Sequence, residues 1–124
     1  MKQEKSTLLA LMLLTGILFL PLVLQGEFIW DDTKLVELNL WTGSFGNLGL
    51  MFTSDLWAST PLGAGDFFYY RPLMLVDLTV DRSLGLGASG HHLHSLFWHL
   101  SCDALLYRLC SKESSKTLPL LAAV

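Results

Sequence analysis

The sequence predicts an all-α membrane protein, and three observations carry that prediction. From Ser6 to Gly26 no residue is charged, and Leu8–Leu24 is almost entirely Leu, Ile, Val, Phe, Met and Ala; a helix needs about 20 apolar residues to cross a bilayer core. Hydrophobic residues make up 52% of the 124-residue chain, high for a soluble domain of this size, and they crowd at its start. Later stretches, 72–84 and 90–110, place their apolar residues at helical spacing.

Residues 6–25 form the first spanning helix after a short cytoplasmic N-terminus, residues 1–5. The rival reading, a secretory signal peptide, wants an apolar region of only about 7–15 residues and small residues at its cleavage site. "LVLQGEF" has no small residue at the usual minus-three position. Pro21 sits near the outer end of the run, where a lost backbone bond and a kink cost least.

Charge sets the orientation. Lys2 and Lys5 precede the first helix, and Arg108, Lys112 and Lys116 follow the second hydrophobic stretch. Between them, residues 26–89 hold eight acids against three bases, Lys34, Arg71 and Arg82. The positive-inside rule places the basic ends in the cytoplasm and the acidic 26–89 segment outside. Net charge of -3 argues against nucleic acid as a partner.

Within the outer segment, "WTGSFGNLGLMFTSDLW" holds a short helix near Leu48–Trp57. "RPLMLVDLTVDRSLGLG" holds a second, with Pro72 at its first position and Gly85 and Gly87 past its end. Leu73, Val76, Val80 and Leu84 share one face, with Asp77 and Asp81 on its flank. Such a helix lies in the membrane interface or packs on other protein helices. Trp30, Trp41, Trp57, Tyr69 and Tyr70 suit either an aromatic belt at headgroup level or ordinary core packing.

Residues 90–110 form the second spanning helix. At about 100° per residue, His92, Ser95, His99 and Asp103 fall on one stripe. Polar groups in lipid are expensive and face a bundle interior. His99 and Asp103, four apart, can pair within the helix. The first helix offers the stripe almost nothing, since Thr15 is the only polar side chain in its middle, so the stripe's partners are expected from further helices. Residues 111–116 form a cytoplasmic connection, and 117–124 begin a third, truncated helix. The histidines lack HExxH or CxxC spacing, so no metal site is expected. Cys102 and Cys110, about 12 Å apart on one helix, are too distant for a disulfide and read as apolar filler.

Asp31 and Asp32 in "EFIWDDTK" follow the first helix closely. Adjacent side chains diverge, so one carboxylate can reach into a site while the other caps a helix or meets a base. Asp is a favoured N-cap, and "DDTKLVEL" can open a short helix in a solvated loop.

"FIWDDTKLVELN", "DLW" and "YYRPLMLVDLTVDRSLGLGASGHHLHSLFWHLSCDALLY", in this order and spacing, resemble the amino terminus of the polytopic GT-C membrane glycosyltransferases. The branch it resembles most joins a multi-helix membrane half to tetratricopeptide repeats and includes transmembrane O-mannosyltransferases and similar bacterial proteins. One departure is Ser95, where these proteins often carry Asn. The resemblance implies an N-terminal fragment of a GT-C multi-helix bundle in a multi-pass membrane protein of the bacterial inner membrane or the endoplasmic reticulum. It implies Asp31 as catalytic carboxylate with Asp32 its neighbour, and Arg71, Tyr70 and His92 as residues for the donor or its lipid phosphate. It further implies a polyprenyl-phosphate sugar donor, a hydroxyl acceptor on a protein or glycan, contact with membrane lipid and the protein's remaining helices, and no metal or cofactor. A fragment of this length is expected to be inactive alone. Two rival readings are a small non-enzymatic membrane subunit with an outer binding loop, and a transporter fragment with the His–Asp stripe as proton path.

Overall fold

A computed structural model describes the backbone of residues 2–63 and 69–121, and the side chains of residues 4–63 and 69–112. Every regular element among them is helical. Four α-helices, α1 (Lys2–Gln25), α2 (Leu48–Thr53), α3 (Pro72–Ser83) and α4 (Ala88–Leu121), alternate with a π-helical turn, Thr33–Glu37, and a 3-10 turn, Phe45–Asn47. They are distributed over two units, one of Met1–Leu24 with Leu93–Val124 and one of Gln25–His92.

In the first unit α1 is long and apolar enough to cross a membrane over Glu4–Gln25. Its apolar side chains stay outward, Ile17 and Leu24 being 68% and 73% exposed, as suits a helix solvated by lipid. The helix passes through Pro21 and ends before Gly26, whose φ of 68° is the left-handed conformation that closes helices. Helix α4 does not stop at Cys110 but continues through the expected connection 111–116. That stretch, "SKESSK", contains neither Gly nor Pro, and Lys and Glu are good helix formers, so polarity alone does not break the helix. The last three residues of the expected third run lie outside the described residues.

The pairing of α1 with α4 corrects the expectation for the polar stripe. Thr15 Oγ1 donates to Asp103 Oδ2 at 2.5 Å, and His99 stacks on Phe19 with ring centroids 4.7 Å apart. The first helix therefore does supply partners: one hydroxyl placed opposite the carboxylate, and one aromatic face that a count of polar groups overlooks. Asp103 reaches across to α1 instead of back to His99. Leu11, Leu14, Leu18 and Leu106 line a groove of about 350 Å³ around the Thr15–Asp103 bond. Cys102 and Cys110 are free and exposed.

The second unit is built on a small core of Leu35, Met51, Leu56 and Leu75, packed by Trp41, Leu48, Trp57, Val76 and Leu78. Helix α3 packs on α2 and on the π-helical turn. Its inner face is not the predicted one. Leu75 and Thr79 are buried, while Leu73 and Leu84, at the ends of the predicted stripe, are 74% and 67% exposed. The helix is apolar over much of its circumference, so periodicity does not select a face; polar bonds do. Arg82 Nη1 donates to Val36 O (2.6 Å), Asn39 O (2.9 Å) and Thr42 Oγ1 (2.9 Å). Asn39 Oδ1 in turn accepts from Trp41 N, Thr42 N and Ser59 Oγ. With so few fully buried apolar side chains, each worth about 1.5–3 kcal/mol, this buried polar network has a large part in holding the loops.

Candidate functional site

The stretch after α1 turns sharply before it reaches the acidic pair. Ile29 O accepts Asp32 N–H at 3.1 Å, and Trp30 inside this turn has φ 53°. A non-glycine residue there costs on the order of 1 kcal/mol. Asp32 then caps the π-helical turn by position only, with helical φ and ψ and no side-chain cap bond. Leu38 N–H bonds Thr33 O at 3.0 Å, and the wide turn carries Leu35 and Val36 inward. Such π-helical turns are rare and often occur at functional sites.

Asp31 stays exposed and lines a pocket of about 290 Å³ with Leu56, Trp57, Tyr69 and Arg71. Two residues assigned from sequence, Asp31 and Arg71, are thus brought together from positions 40 residues apart. Arg71 stands at the N-cap of α3, fixed by Pro72 at the first helical position. The other wall is organised by a residue that sequence reasoning counted only as a charge. Asp55 is 3% exposed. Its Oδ1 accepts from Trp57 N at 2.8 Å and its Oδ2 from Tyr69 N at 2.5 Å. Leu56 N also donates to Tyr69 O at 2.8 Å. One buried carboxylate therefore ties together the backbones of Trp57 and Tyr69. A carboxylate, a guanidinium and two aromatic rings around one cavity can take a proton, hold an anion and cover an apolar or sugar face.

Asp32 is half-buried and is not among the residues that line this pocket. His91 Nδ1 lies 3.1 Å from Asp81 Oδ2, an ion-pair distance off the line of a hydrogen bond, and both side chains are buried. The two carboxylates thus divide, Asp31 on the pocket and Asp32 off it.

The other two assigned residues are not on the pocket wall. The Tyr70 hydroxyl donates to Phe52 O at 2.9 Å. His92 is buried, its Nε2 is 2.9 Å from Glu27 O, and Phe28 lies against both His91 and His92. His92 holds the start of α4 to the segment after α1. Its place on the stripe said nothing about that, because the partner is a backbone carbonyl 65 residues away. In the sequence, Tyr69 and Trp57 stand only as belt or core aromatics. The available signal for Asp55 was "SDLW", an Asp whose side chain bonds the backbone two residues on, as turn-forming Asp does. Among the described residues no three His, Cys, Asp or Glu side chains come together as a metal site. Comparison with protein-family models, curated proteins and solved structures found no match.

Proposed function

We propose that this chain is part of a multi-pass membrane glycosyltransferase that moves a sugar, a hexose such as mannose, from a polyprenyl-phosphate donor to a hydroxyl of a protein or other acceptor. The observation that carries this reading is the pocket shared by Asp31 and Arg71 and walled by Trp57 and Tyr69. In the reaction the acceptor oxygen attacks the anomeric carbon and its proton passes to the Asp31 carboxylate. The bond from the anomeric carbon to the donor oxygen breaks, and polyprenyl phosphate leaves with the electron pair. Arg71 pairs with the phosphate as its charge grows. Tyr70 and His92, bonded to Phe52 O and Glu27 O, lie off this pocket and are given no part in the transfer. A donor anchored in lipid explains a reactive carboxylate six residues beyond the end of a membrane-crossing helix.

The test uses membranes producing the reading frame that contains this chain, with labelled sugar on polyprenyl phosphate as donor. Asp31→Asn should lower transfer at least about 10²-fold, the scale of a general base, and Asp32→Asn should lower it less. Near-normal turnover of Asp31→Asn at normal protein level would remove Asp31 from the chemistry.

A second reading, a small membrane subunit without activity, is favoured by the Thr15–Asp103 bond, which gives that carboxylate a partner within α1 and α4 themselves.

A further inference from the structure

We propose that Trp30 is the contact of the outer unit with the lipid headgroup layer, and that it holds the mouth of the Asp31 pocket at the membrane surface. The inference rests on the membrane reading given above.

Trp30 is 92% exposed, more than any other large apolar side chain among the described residues. The other tryptophans and tyrosines of the segment have other employment. Trp41 and Trp57 pack against the core, Tyr69 lines the pocket, and the Tyr70 hydroxyl bonds Phe52. No described residue of the outer unit covers Trp30. Its backbone also occupies the left-handed region, at φ 53°, which Gly or Asn would adopt with less strain. A strained turn that presents a bare indole has no use in the packing of its own unit.

The occupant follows from the chain itself. Gln25 is the last residue of α1, the helix apolar enough to cross a membrane, and Trp30 comes five residues later. An extended chain covers at most about 3.6 Å per residue, so Trp30 stays within roughly 18 Å of the point where α1 ends. The headgroup zone begins there and is several ångströms deep. An indole, apolar over its rings and polar at its N–H, suits that layer. Ile29, 40% exposed, adds apolar surface beside it. The next residue is Asp31, so a seated Trp30 brings the pocket carboxylate to the level at which a phosphate on a lipid tail is presented.

The experiment compares the full chain with Trp30→Phe and Trp30→Gly in phosphatidylcholine vesicles, with lipids brominated near the headgroup end of the acyl chains as quenchers of tryptophan fluorescence. Glycine suits φ 53° and keeps the turn if phenylalanine does not. Resistance of the protein to alkaline extraction from the same vesicles is measured in parallel. The expected result is that the emission lost in both variants is the emission that bromine quenches strongly, with extraction unchanged. If that emission is insensitive to bromine while the protein resists extraction, the headgroup contact is wrong and the membrane reading stands. If the protein is extracted at alkaline pH, the membrane reading fails and the contact with it.

Discussion

Thr15 on α1 and Asp103 on α4 share a hydrogen bond of 2.5 Å, 88 residues apart in sequence. In the proposed topology α4 enters lipid, where a central Asp costs about 2.5–3.5 kcal/mol, and a hydroxyl on the partner helix offsets part of that. Interhelical bonds of this kind average about 0.6 kcal/mol and reach about 1.7 kcal/mol in membranes.

Thr15→Val should therefore lower the stability of the α1–α4 pair by about that much and raise the fraction of chains whose second helix fails to cross. Thr15→Ser should restore it. A glycosylation acceptor placed after Lys112 reports the second crossing: modified chains are those that failed. Equal modification in wild type and Thr15→Val would show that the bond does not assist insertion. In a double-mutant cycle, Thr15→Val in an Asp103→Leu background should have little effect, because the acceptor is gone.

The two arginines of the second unit should behave in opposite ways. Arg82→Ala leaves Val36 O, Asn39 O and Thr42 Oγ1 without their shared donor, and hydrogen bonds to charged groups contribute about 1.5–3 kcal/mol. A loss of roughly 3 kcal/mol or more in denaturant unfolding is expected. Arg71→Ala, at an exposed N-cap without a side-chain cap bond, should change stability by less than about 0.5 kcal/mol while raising the donor concentration needed for half-maximal transfer. Comparable destabilisation by the two substitutions would contradict this division.

Asp55→Ala removes the acceptor for two backbone N–H groups at once. About 2–4 kcal/mol of destabilisation is expected from two buried donors left unpaired. The accompanying sign is a change in the near-ultraviolet circular dichroism of the tryptophans, since Trp57 is released from its turn. An unchanged spectrum and unchanged unfolding would mean that the pocket wall is held by something else.

Topology is best read with a cysteine at Leu62, which is 55% exposed. Ser59, an obvious site in an outer loop from sequence alone, is 8% exposed and donates to Asn39 Oδ1 at 2.6 Å. In a Cys102→Ser, Cys110→Ser background, Leu62→Cys should react with an impermeant thiol reagent in intact cells. Labelling only after permeabilisation would reverse the proposed orientation.

What the sequence by itself determined is local. An uncharged run from Ser6 to Gly26 makes α1 because the whole helix surface is apolar, and Pro72 with Gly85 brackets α3 because each acts on its own backbone. That Asp31 and Asp32 diverge also follows from adjacency. Which of them meets the pocket was decided by the tertiary structure, as was the wall built by Asp55, Trp57 and Tyr69 opposite Arg71. The same holds for the inner face of α3 and for the partners of His92 and Asp103. Each of these depends on a bond or packing contact between distant segments. A helix that is apolar nearly all round, or a polar side chain that can bond any backbone carbonyl, carries no local mark of the partner that the fold brings to it.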